Sequence, residues 1–458
     1  MSSANRGEWN SRLGFILAAA GSAVGLGNIW KFPYVVGMNG GSAFLLVYLL
    51  LIVFLGLPIL IAEILLGKAT QRDPVGAFQH LAGRRSPWKI VGFMGVLAAF
   101  IILSFYSVVA GWCIEFVWQG LHGAYSSSAS PEMVQKIFEN LTGSSSRQSW
   151  YHGIFMVLTV AIVFSGVQSG LQKVCEVLMP TLLVILLGLI CFAMTQPGAS
   201  EGVQFLLKPD VSKLNGKAIL AAMGQCFFSL SLGMGAMLTY GSYLRKDDRV
   251  VSSAAWVVTT DTAIALLAGF VIFPIVFTFG IEPGAGPGLV FVSLPAAFQK
   301  LPMGTFVGIA FFILLLAAAI TSAISLLEVI TAYFVDEFKM QRHLAAVMFG
   351  VICFIIGVGC THSGGYFDFL DNLASNYLLP LGAMFISLFA GWKLKSEIAR
   401  SEFAGGRGEF IFNVWLTCVR FVAPFLVALV FLNSTGLFDK LFNPPDPERV
   451  TRQEEAAK

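Results

Sequence analysis

Two clusters of glycine and small polar residues interrupt otherwise apolar stretches of the sequence. The first, at residues 21–28, reads Gly-Ser-Ala-Val-Gly-Leu-Gly-Asn, and the second, at residues 224–235, reads Gly-Gln-Cys-Phe-Phe-Ser-Leu-Ser-Leu-Gly-Met-Gly. Taken singly, each cluster favours close helix packing through small residues. Glycine also costs a helix interior about 1 kcal/mol relative to alanine. Where a helix breaks, its freed N–H groups can bind an anion and its freed C=O groups a cation. Two such breaks together would therefore supply donors to an anion and acceptors to a cation without a buried charge.

The composition excludes an ordinary soluble protein. The 458 residues are 56% hydrophobic and only 12% charged, with a mean hydropathy of +0.78, whereas soluble domains carry about 25% charged residues. No basic stripe follows a nucleic-acid backbone. The seven cysteines lie mostly in apolar runs without a CxxC pair, which is typical of buried hydrophobes rather than a disulfide framework or metal site. The five histidines are scattered, and none is paired with Glu at metal spacing, which argues against an intramembrane enzyme.

Eleven apolar runs are long enough to cross a bilayer, which needs about 20 residues per helix. The sequence therefore predicts an all-α polytopic membrane protein with 11 transmembrane helices, forming a single domain over residues 1–458. The runs lie near residues 13–35, 41–69, 89–120, 152–167, 174–195, 216–243, 251–280, 304–336, 344–360, 368–392 and 411–434.

The two glycine clusters fall in the first and sixth runs. The two runs are five positions apart in the order of spans. Because five is odd, a second unit of five helices would run inverted relative to the first. Interrupted helices at matching positions of inverted halves indicate the midplane site of a transporter. We therefore expect a 5+5 inverted repeat, with residues 11–195 as the first repeat, 216–392 as the second and 411–434 as helix 11.

Orientation follows from the distribution of Lys and Arg. With a cytoplasmic amino terminus, the inner loops carry the larger share of the 29 basic residues, as the positive-inside rule requires. An odd number of spans then places the carboxyl terminus outside. We expect surface loops at 121–150 and 196–215, a re-entrant or lid element at 283–303, and a disordered extracellular tail at 443–458.

Three motifs resemble the neurotransmitter:sodium symporter family: residues 12–34, residues 39–44 (Asn-Gly-Gly-Ser-Ala-Phe) and residues 224–235. The likeness extends from Trp9 to about Phe431, and it is strongest to bacterial amino-acid members of the multi-hydrophobic amino acid and leucine transporter types. It implies a leucine-transporter-like fold and sodium-coupled import of hydrophobic, aliphatic and aromatic, L-amino acids by alternating access. It implies no enzymatic activity. The second outer loop lacks Cys, which favours a prokaryotic member of the family. We expect a bacterial inner-membrane protein in contact with lipid. A monomer should be sufficient for function, and we expect no nucleic-acid partner.

The resemblance implies two bound sodium ions, held by uncharged or singly charged oxygen ligands as a hard monovalent cation prefers. The first site would use Ala23, Asn28, Ser229, Asp261 and a carboxylate oxygen of the substrate. The second site would use Gly21, Val24, Ala318, Thr321 and Ser322.

Two positions depart from the leucine-transporter pattern near the first sodium site. Ser229 replaces Thr and conserves the hydroxyl. Asp261 stands where most relatives have Asn, and Ala265 stands where chloride-independent bacterial members have Glu. An intramembrane carboxylate is costly and therefore functional by default. The hypothesis is that Asp261 supplies the fixed negative charge, so that transport requires no chloride.

The resemblance also implies a substrate pocket. Monoamine transporters have Asp at the position of Gly25, so glycine here favours a substrate that brings its own carboxylate. Met234 replaces a Phe of the leucine transporter, and because Met adapts its shape, we expect a broad range of hydrophobic side chains. The expected pocket residues are Ala23, Gly25, Leu26, Gly27, Ile102, Tyr106, Phe228, Ser229, Ser231, Met234, Ser322 and Leu326.

Gates on both sides complete the implied mechanism. The outer gate would consist of a lid, Tyr106 and Phe228, and an ion pair, Lys31 with Asp371. The inner gate would consist of Arg6, Trp9, Ser242, Tyr243 and Asp336. Unwinding of the fifth transmembrane helix between Gly170 and Pro180 would release the second sodium ion inward. Glu63 would accept hydrogen bonds from amides freed at the two breaks, and Glu328 and Arg420 would serve helix packing.

Other functions remain compatible with the sequence. They are sodium-dependent transport of a different small zwitterion, amino-acid sensing without transport, and an ion channel on the same fold. Saturable uptake distinguishes a transporter from a channel, which carries an ohmic current. The sequence lacks the repeated filter loop or charged ring that channels use.

Overall fold

A computed structural model describes residues 7–130, 132–210, 212, 214–284, 288–403 and 408–434. Within these ranges the chain forms helices joined by turns and short connecting segments, and it contains no β-strand. The fold is therefore all-α, as the apolar runs predict. Arg6 and the tail at 443–458 lie outside the described residues.

Eight helices within the described ranges are long and apolar enough to cross a membrane, and one bent pair makes a ninth. The bent pair comprises α1 (Arg12–Ala23) and α2 (Gly27–Met38), inclined by 50°. The eight long helices are α3 (Ser42–Thr70), α5 (Lys89–Leu121), α8 (Val167–Ala193), α12 (Val250–Thr278), α14 (Gly304–Phe338), α15 (Arg342–His362), α16 (Gly364–Lys393) and α18 (Gly408–Asn433).

The remaining helices are shorter or less apolar. Their bounds are α4 (Pro74–Ala82), α6 (Met133–Thr142), α7 (Ser145–Phe164), α9 (Ala199–Leu207), α10 (Gly216–Ser229), α11 (Ala236–Gly241), α13 (Leu289–Phe298) and α17 (Ser396–Arg400). The segments predicted as surface loops at 121–150 and 196–215 thus contain α6 and α9, and α7 begins inside the first of them. The segment predicted as a re-entrant or lid element contains α13.

Two predicted spans differ from the long apolar helices for physical reasons. The fourth predicted run corresponds to α7, whose first turn is polar and includes Ser145, Arg147 and Gln148. The sixth corresponds to α10 and α11, which are 14 and 6 residues long. Because a six-residue helix rises only about 9 Å, neither part of this run spans a bilayer alone.

Local capping explains where several helices begin. The Asp73 carboxylate accepts hydrogen bonds from the amides of Val75 and Gly76 at 2.9 and 3.1 Å, and Pro74 occupies the first turn of α4. Ser11 caps α1 by accepting from the amide of Gly14 at 3.0 Å. Such caps satisfy N–H groups that have no partner within the helix.

Helices α5 and α14 pack against each other through the centre of the bundle, and α1 packs on α14. Glycine permits several of these contacts. A Cβ at Gly21 would lie 3.2 Å from the Cβ of Thr321, and a Cβ at Gly382 would lie 2.5 Å from the carbonyl oxygen of Gly233. The breaks after α1 and α10 therefore face α14 and α16 at close range.

Candidate functional site

The first break separates α1 from α2. Helix α1 ends at Ala23, Val24 has an extended backbone (φ −73°, ψ 98°), and the next helix begins at Gly27. A Cβ at Gly25 would lie 2.5 Å from Ser322 Oγ and 3.1 Å from the Tyr106 hydroxyl oxygen. Glycine at position 25 is therefore required by space, because any side chain would fill the volume between α5 and α14.

The second break separates α10 from α11. Its backbone adopts positive φ at Ser231 (54°), Gly233 (80°) and Gly235 (76°). Glycine adopts such angles without strain, whereas Ser231 is a non-glycine residue in this region. The carboxylate of Glu63 accepts a hydrogen bond from the amide of Gly233 at 2.7 Å. This contact is of the kind predicted for Glu63, since the acceptor satisfies an amide outside any helix.

The two breaks meet at a small cavity of about 30 Å³. The lining contains every predicted substrate residue except Leu26 and Ser229, and it adds Ser22 and Ser325. Its members are Ser22, Ala23, Gly25, Gly27, Ile102, Tyr106, Phe228, Ser231, Met234, Ser322, Ser325 and Leu326. The amide of Leu26 donates to the Tyr106 hydroxyl at 3.3 Å.

Three residues predicted for the first sodium site form one buried cluster. Asn28, Ser229 and Asp261 are all inaccessible to solvent. The Asn28 amide donates to Asp261 Oδ1 at 2.7 Å, and the Ser229 hydroxyl donates to Asp261 Oδ2 at 2.8 Å. The hydroxyl of Tyr48, which was not predicted, donates to Ser229 at 3.3 Å. The cluster thus brings a hydroxyl and a carboxylate together beside the first break, while the side-chain oxygen of Asn28 accepts from the amide of Gly25 at 3.3 Å.

The residues predicted for the second sodium site converge where α1 meets α14. Thr321 Oγ1 lies 3.4 Å from the carbonyl oxygen of Val24 and 3.0 Å from that of Ala318. Ser322 Oγ lies 3.5 Å from the same Val24 oxygen. Gly21 packs directly against Thr321. Two hydroxyls and two carbonyls therefore share one buried region, which is the donor set that a hard monovalent cation prefers.

Phe228 lines the side of the cavity that is predicted to face outward, and Lys31 lies over its ring. The ammonium nitrogen of Lys31 is 4.3 Å from the centroid of the Phe228 ring, a cation–π distance. Asp371 accepts a hydrogen bond from Ser375 at 2.8 Å. Among the described ion pairs, which extend to 4.0 Å, none joins Lys31 to Asp371. In this conformation Lys31 contacts the lid, and its pairing with Asp371 stays a prediction.

Among the residues predicted for the inner gate, Trp9 is completely buried. Its indole N–H donates to the carbonyl oxygen of Tyr240 at 2.9 Å, and its backbone amide donates to that of Tyr243 at 3.1 Å. Asp336 accepts a hydrogen bond from the amide of Asp73 at 3.0 Å. Ser242 donates within its own helix. The predicted contact of Asp336 with Arg6 concerns a residue outside the described ranges.

A buried ion pair extends this inner cluster. Glu328 is inaccessible to solvent, and its carboxylate accepts hydrogen bonds from two guanidinium nitrogens of Arg342, one of them at 3.0 Å. The hydroxyl of Tyr243 donates to the same carboxylate at 2.6 Å. Arg420 instead donates to the carbonyl oxygen of Gly391 at 2.6 Å. Both Glu328 and Arg420 join neighbouring helices, and the ion pair with Arg342 was not predicted.

Helix α8 contains the segment predicted to unwind. It is helical throughout Val167–Ala193, beginning with a π-helical turn, and Pro180 lies inside it. A Cβ at Gly170 would lie 2.1 Å from the carbonyl oxygen of Ile162. The unwinding between Gly170 and Pro180 stays a prediction about another conformation.

Three polar residues that belong to the site are not predicted as site residues from the sequence. Ser22 was noted only as part of the first cluster, and Ser325 lies one turn after Ser322, so the helical spacing of three could have indicated it. Tyr48 gave no signal, because a tyrosine in an apolar run is usually a packing residue.

A larger cavity, of about 760 Å³, lies between α7 and α15. Its walls are almost entirely apolar, and its members Trp150 and Val157 are each 68% exposed on the outer surface of the bundle. It contains none of the predicted site residues and faces the surroundings of the bundle rather than its interior.

A family model and two sodium-dependent transporters match nearly the whole chain in sequence. The model of the sodium:neurotransmitter symporter family matches residues 6–149 and 126–442. The chain is 40% identical to YhdH, a sodium-dependent transporter of Bacillus subtilis (strain 168), over 94% of this chain and 98% of the relative. It is 36% identical to a sodium-dependent transporter of Haemophilus influenzae (strain ATCC 51907 / DSM 11121 / KW20 / Rd), with the same coverage of both proteins.

The structure also matches a solved transporter. The crystal structure of MhsT in complex with L-phenylalanine superposes with a TM-score of 0.87 at 45% sequence identity. The match covers 94% of this chain and 100% of the other. This likeness concerns the whole bundle and not a local motif.

Proposed function

The chain belongs to the sodium:neurotransmitter symporter family, and from that premise we propose that it imports hydrophobic L-amino acids, aliphatic and aromatic, by sodium-coupled symport. The observation that carries the proposal is the cavity between the two breaks, which combines non-helical peptide groups with the side chains of Ile102, Met234 and Leu326. The likeness to MhsT, solved with L-phenylalanine, supports the substrate class.

We further propose eleven spans arranged as a 5+5 inverted repeat. Helix α7 and the pair α10 and α11 would supply the two spans beyond the nine that length and composition indicate. Residues 11–195 and 216–392 would then be the two repeats, with α18 as the eleventh span. Support comes from the positions of the breaks, since α1 and α10 open the proposed repeats and each ends at a non-helical segment.

The proposed substrate is a zwitterion held by uncharged groups and a sodium ion. The amides of Leu26 and Gly27 with the Tyr106 hydroxyl would bind its carboxylate. Carbonyl oxygens of Ala23, Phe228 and Ser231 would bind its ammonium group. Support for the first contact is the 3.3 Å approach of the Leu26 amide to the Tyr106 hydroxyl, which places a donor and a hydroxyl at the same point.

Two sodium ions would occupy the clusters beside the first break. Ala23, Asn28, Ser229 and Asp261 would hold the first together with the substrate carboxylate. Because that ion and the substrate would share a contact, binding of one raises the affinity of the other by the same factor. Gly21, Val24, Ala318, Thr321 and Ser322 would hold the second. A sodium gradient then drives uptake.

Chloride would not be required. Asp261 is buried, and its described partners, Asn28 and Ser229, are both neutral. Its charge would therefore remain available to balance the sodium ions, a role that a bound anion would otherwise serve.

The protein would lie in a bacterial inner membrane with its amino terminus in the cytoplasm and its carboxyl terminus outside. The larger share of Lys and Arg on the proposed inner loops supports this orientation. A monomer would be sufficient, because both breaks and both sodium clusters belong to one chain.

The decisive experiment is uptake of radiolabelled L-phenylalanine by proteoliposomes under an inward sodium gradient, with all twenty amino acids as competitors. We expect saturable uptake that requires sodium and is inhibited by aliphatic and aromatic amino acids. Replacement of sodium by potassium is the control. Uptake without sodium, competition confined to small polar amino acids, or an ohmic current without accumulation would each refute the proposal.

A further inference from the structure

The cavity between the breaks has a polar side that no predicted role uses. Ser22 and Ser325 both line it, although each side chain is 1% exposed. The Ser22 hydroxyl donates to Ser325 Oγ at 2.7 Å, and the Ser325 hydroxyl donates in turn to the backbone oxygen of Ser322 at 2.7 Å. The pair therefore has a fixed direction of hydrogen bonding, from α1 to α14.

This chain of hydrogen bonds leaves an acceptor at the cavity. Among the described residues, no group donates to Ser22 Oγ, so its lone pairs remain available. The neighbouring hydroxyls are otherwise engaged, since Ser231 and Ser322 both donate to the backbone oxygen of Ser22, at 2.9 and 3.1 Å. Ser322 is also a proposed sodium ligand, and the backbone oxygen of Ser231 is proposed for the ammonium group. A ligand that supplies an N–H or O–H donor would therefore add a hydrogen bond to this hydroxyl oxygen.

The position of Ser22 relates it to the side chain of the substrate. Ser22 lies at the end of α1, four residues before Leu26, the proposed carboxylate-binding residue on the other side of the break, and Ser325 lies one turn beyond Ser322 on α14. Met234 and Leu326 line the same cavity. The acceptor thus lies among the groups that would surround the substrate side chain.

We propose that Ser22, oriented by Ser325, is a specificity-determining acceptor for aromatic substrates whose side chain carries an N–H or O–H donor, such as indole or phenol. The proposal rests on the proposed function, because it concerns the same pocket. Ser22 would contact the substrate, and Ser325 would act as a positioning residue. One neutral hydrogen bond should favour a donor-bearing side chain over its isostere by roughly threefold to tenfold.

The experiment compares two isosteric competitors of sodium-driven L-phenylalanine uptake in proteoliposomes. They are L-tryptophan and 3-(1-benzothiophen-3-yl)-L-alanine, in which sulfur replaces the indole N–H. In the native protein we expect L-tryptophan to have the lower inhibition constant by the stated factor. Ser22→Ala should reduce the ratio of inhibition constants to about one, while inhibition by the benzothiophene analogue remains.

Two further variants keep the test informative. Ser325→Ala retains the acceptor but loses its orientation, so the ratio should fall to an intermediate value. Ser107→Ala is the matched control, because the buried Ser107 hydroxyl donates to Leu103 in its own helix and lies outside the cavity lining. It should keep the native ratio.

The outcomes separate the two proposals. A ratio near one in the native protein, or a native ratio retained in Ser22→Ala, overturns the role of Ser22 while phenylalanine uptake still supports the proposed function. Absence of sodium-dependent phenylalanine uptake in the native protein overturns both. If Ser22→Ala does not fold, the native ratio and the Ser325→Ala ratio decide the question.

Discussion

At the scale of single residues, charge is scarce inside the bundle, and this makes Asp261 distinctive. Its carboxylate lies beside the first break and is bound only by neutral groups among its described partners. Replacing it with Asn preserves shape and removes one negative charge. The comparison therefore isolates the electrostatic contribution of this side chain.

We predict that Asp261→Asn makes uptake depend on chloride. Uptake by the native protein should be equal in sodium chloride and sodium gluconate. The variant should lose at least about tenfold in gluconate, because the ions then face only neutral protein oxygens, and chloride should restore part of the loss. Asp247→Asn, at an exposed position, is the control and should behave like the native protein. A collapse of native uptake in gluconate would contradict the hypothesis.

At the scale of elements, the bundle contains close backbone approaches and ion pairs that join helices. Gly170 brings the first turn of α8 against the end of α7, and the ion pair of Glu328 with Arg342 joins α14 to α15. These two contacts resist substitution for different reasons, one steric and one electrostatic. Each can therefore be tested by a substitution with a matched control.

Gly170→Ala should destabilise the protein by about 1–3 kcal/mol, because its Cβ would lie 2.1 Å from the carbonyl oxygen of Ile162. Gly188→Ala, in the same helix, meets nothing within 4 Å and should leave stability unchanged or raise it slightly. The measurement is thermal unfolding in detergent, followed with a thiol-reactive dye that reports exposure of the buried cysteines. Equal melting temperatures for the two variants would exclude the steric explanation.

Arg342→Ala should destabilise the protein by about 3–5 kcal/mol, because the Glu328 carboxylate would remain buried without its cation. Combining Glu328→Gln with Arg342→Met should recover much of the loss, since no charge is then left unpaired. The control is Arg400→Ala, which breaks an ion pair whose side chains are 56% and 62% exposed and should change stability by at most about 1 kcal/mol. The same thermal assay applies. If the double variant proves no more stable than Arg342→Ala, the pair does not act through its charges.

The sequence predicts the long helices well, and the reason is physical. A run such as 41–69 must be helical in a bilayer, where every backbone group requires a partner within the span, and α3 occupies Ser42–Thr70. The family resemblance likewise assigns Asn28, Ser229 and Asp261 to one site, and these residues form one cluster in the structure. Pairings across helices are not encoded in such patterns. Glu328 and Arg342 look like ordinary charges near helix ends, and only the geometry of α14 and α15 joins them.

Viewed as a whole molecule, the site lies between the two broken helices and two continuous ones. The breaks of α1 and α10 face α5 and α14, so a ligand between them touches both. Under the proposed mechanism, the site would close only when sodium and substrate are both bound. Because the proposed substrate is neutral overall, the two proposed sodium ions would carry the entire net charge.

An inside-negative membrane potential should therefore increase accumulation. Two charges moving through 100 mV correspond to about 4–5 kcal/mol, and we expect the accumulation ratio of L-phenylalanine to rise by at least about tenfold. A potassium diffusion potential set with valinomycin provides the measurement, and equal potassium on both sides provides the control. An accumulation ratio that does not respond to the potential would indicate electroneutral exchange.

The buried indole of Trp9 has a practical consequence for spectroscopy. It is inaccessible to solvent and hydrogen-bonded to the carbonyl oxygen of Tyr240, so separation of the amino-terminal segment from α11 must change its surroundings. Biosynthetic 5-fluorotryptophan would give this indole a fluorine resonance that Trp9→Phe identifies among the nine tryptophans. Trp9 would thereby report the proposed inward opening without a chemically attached probe.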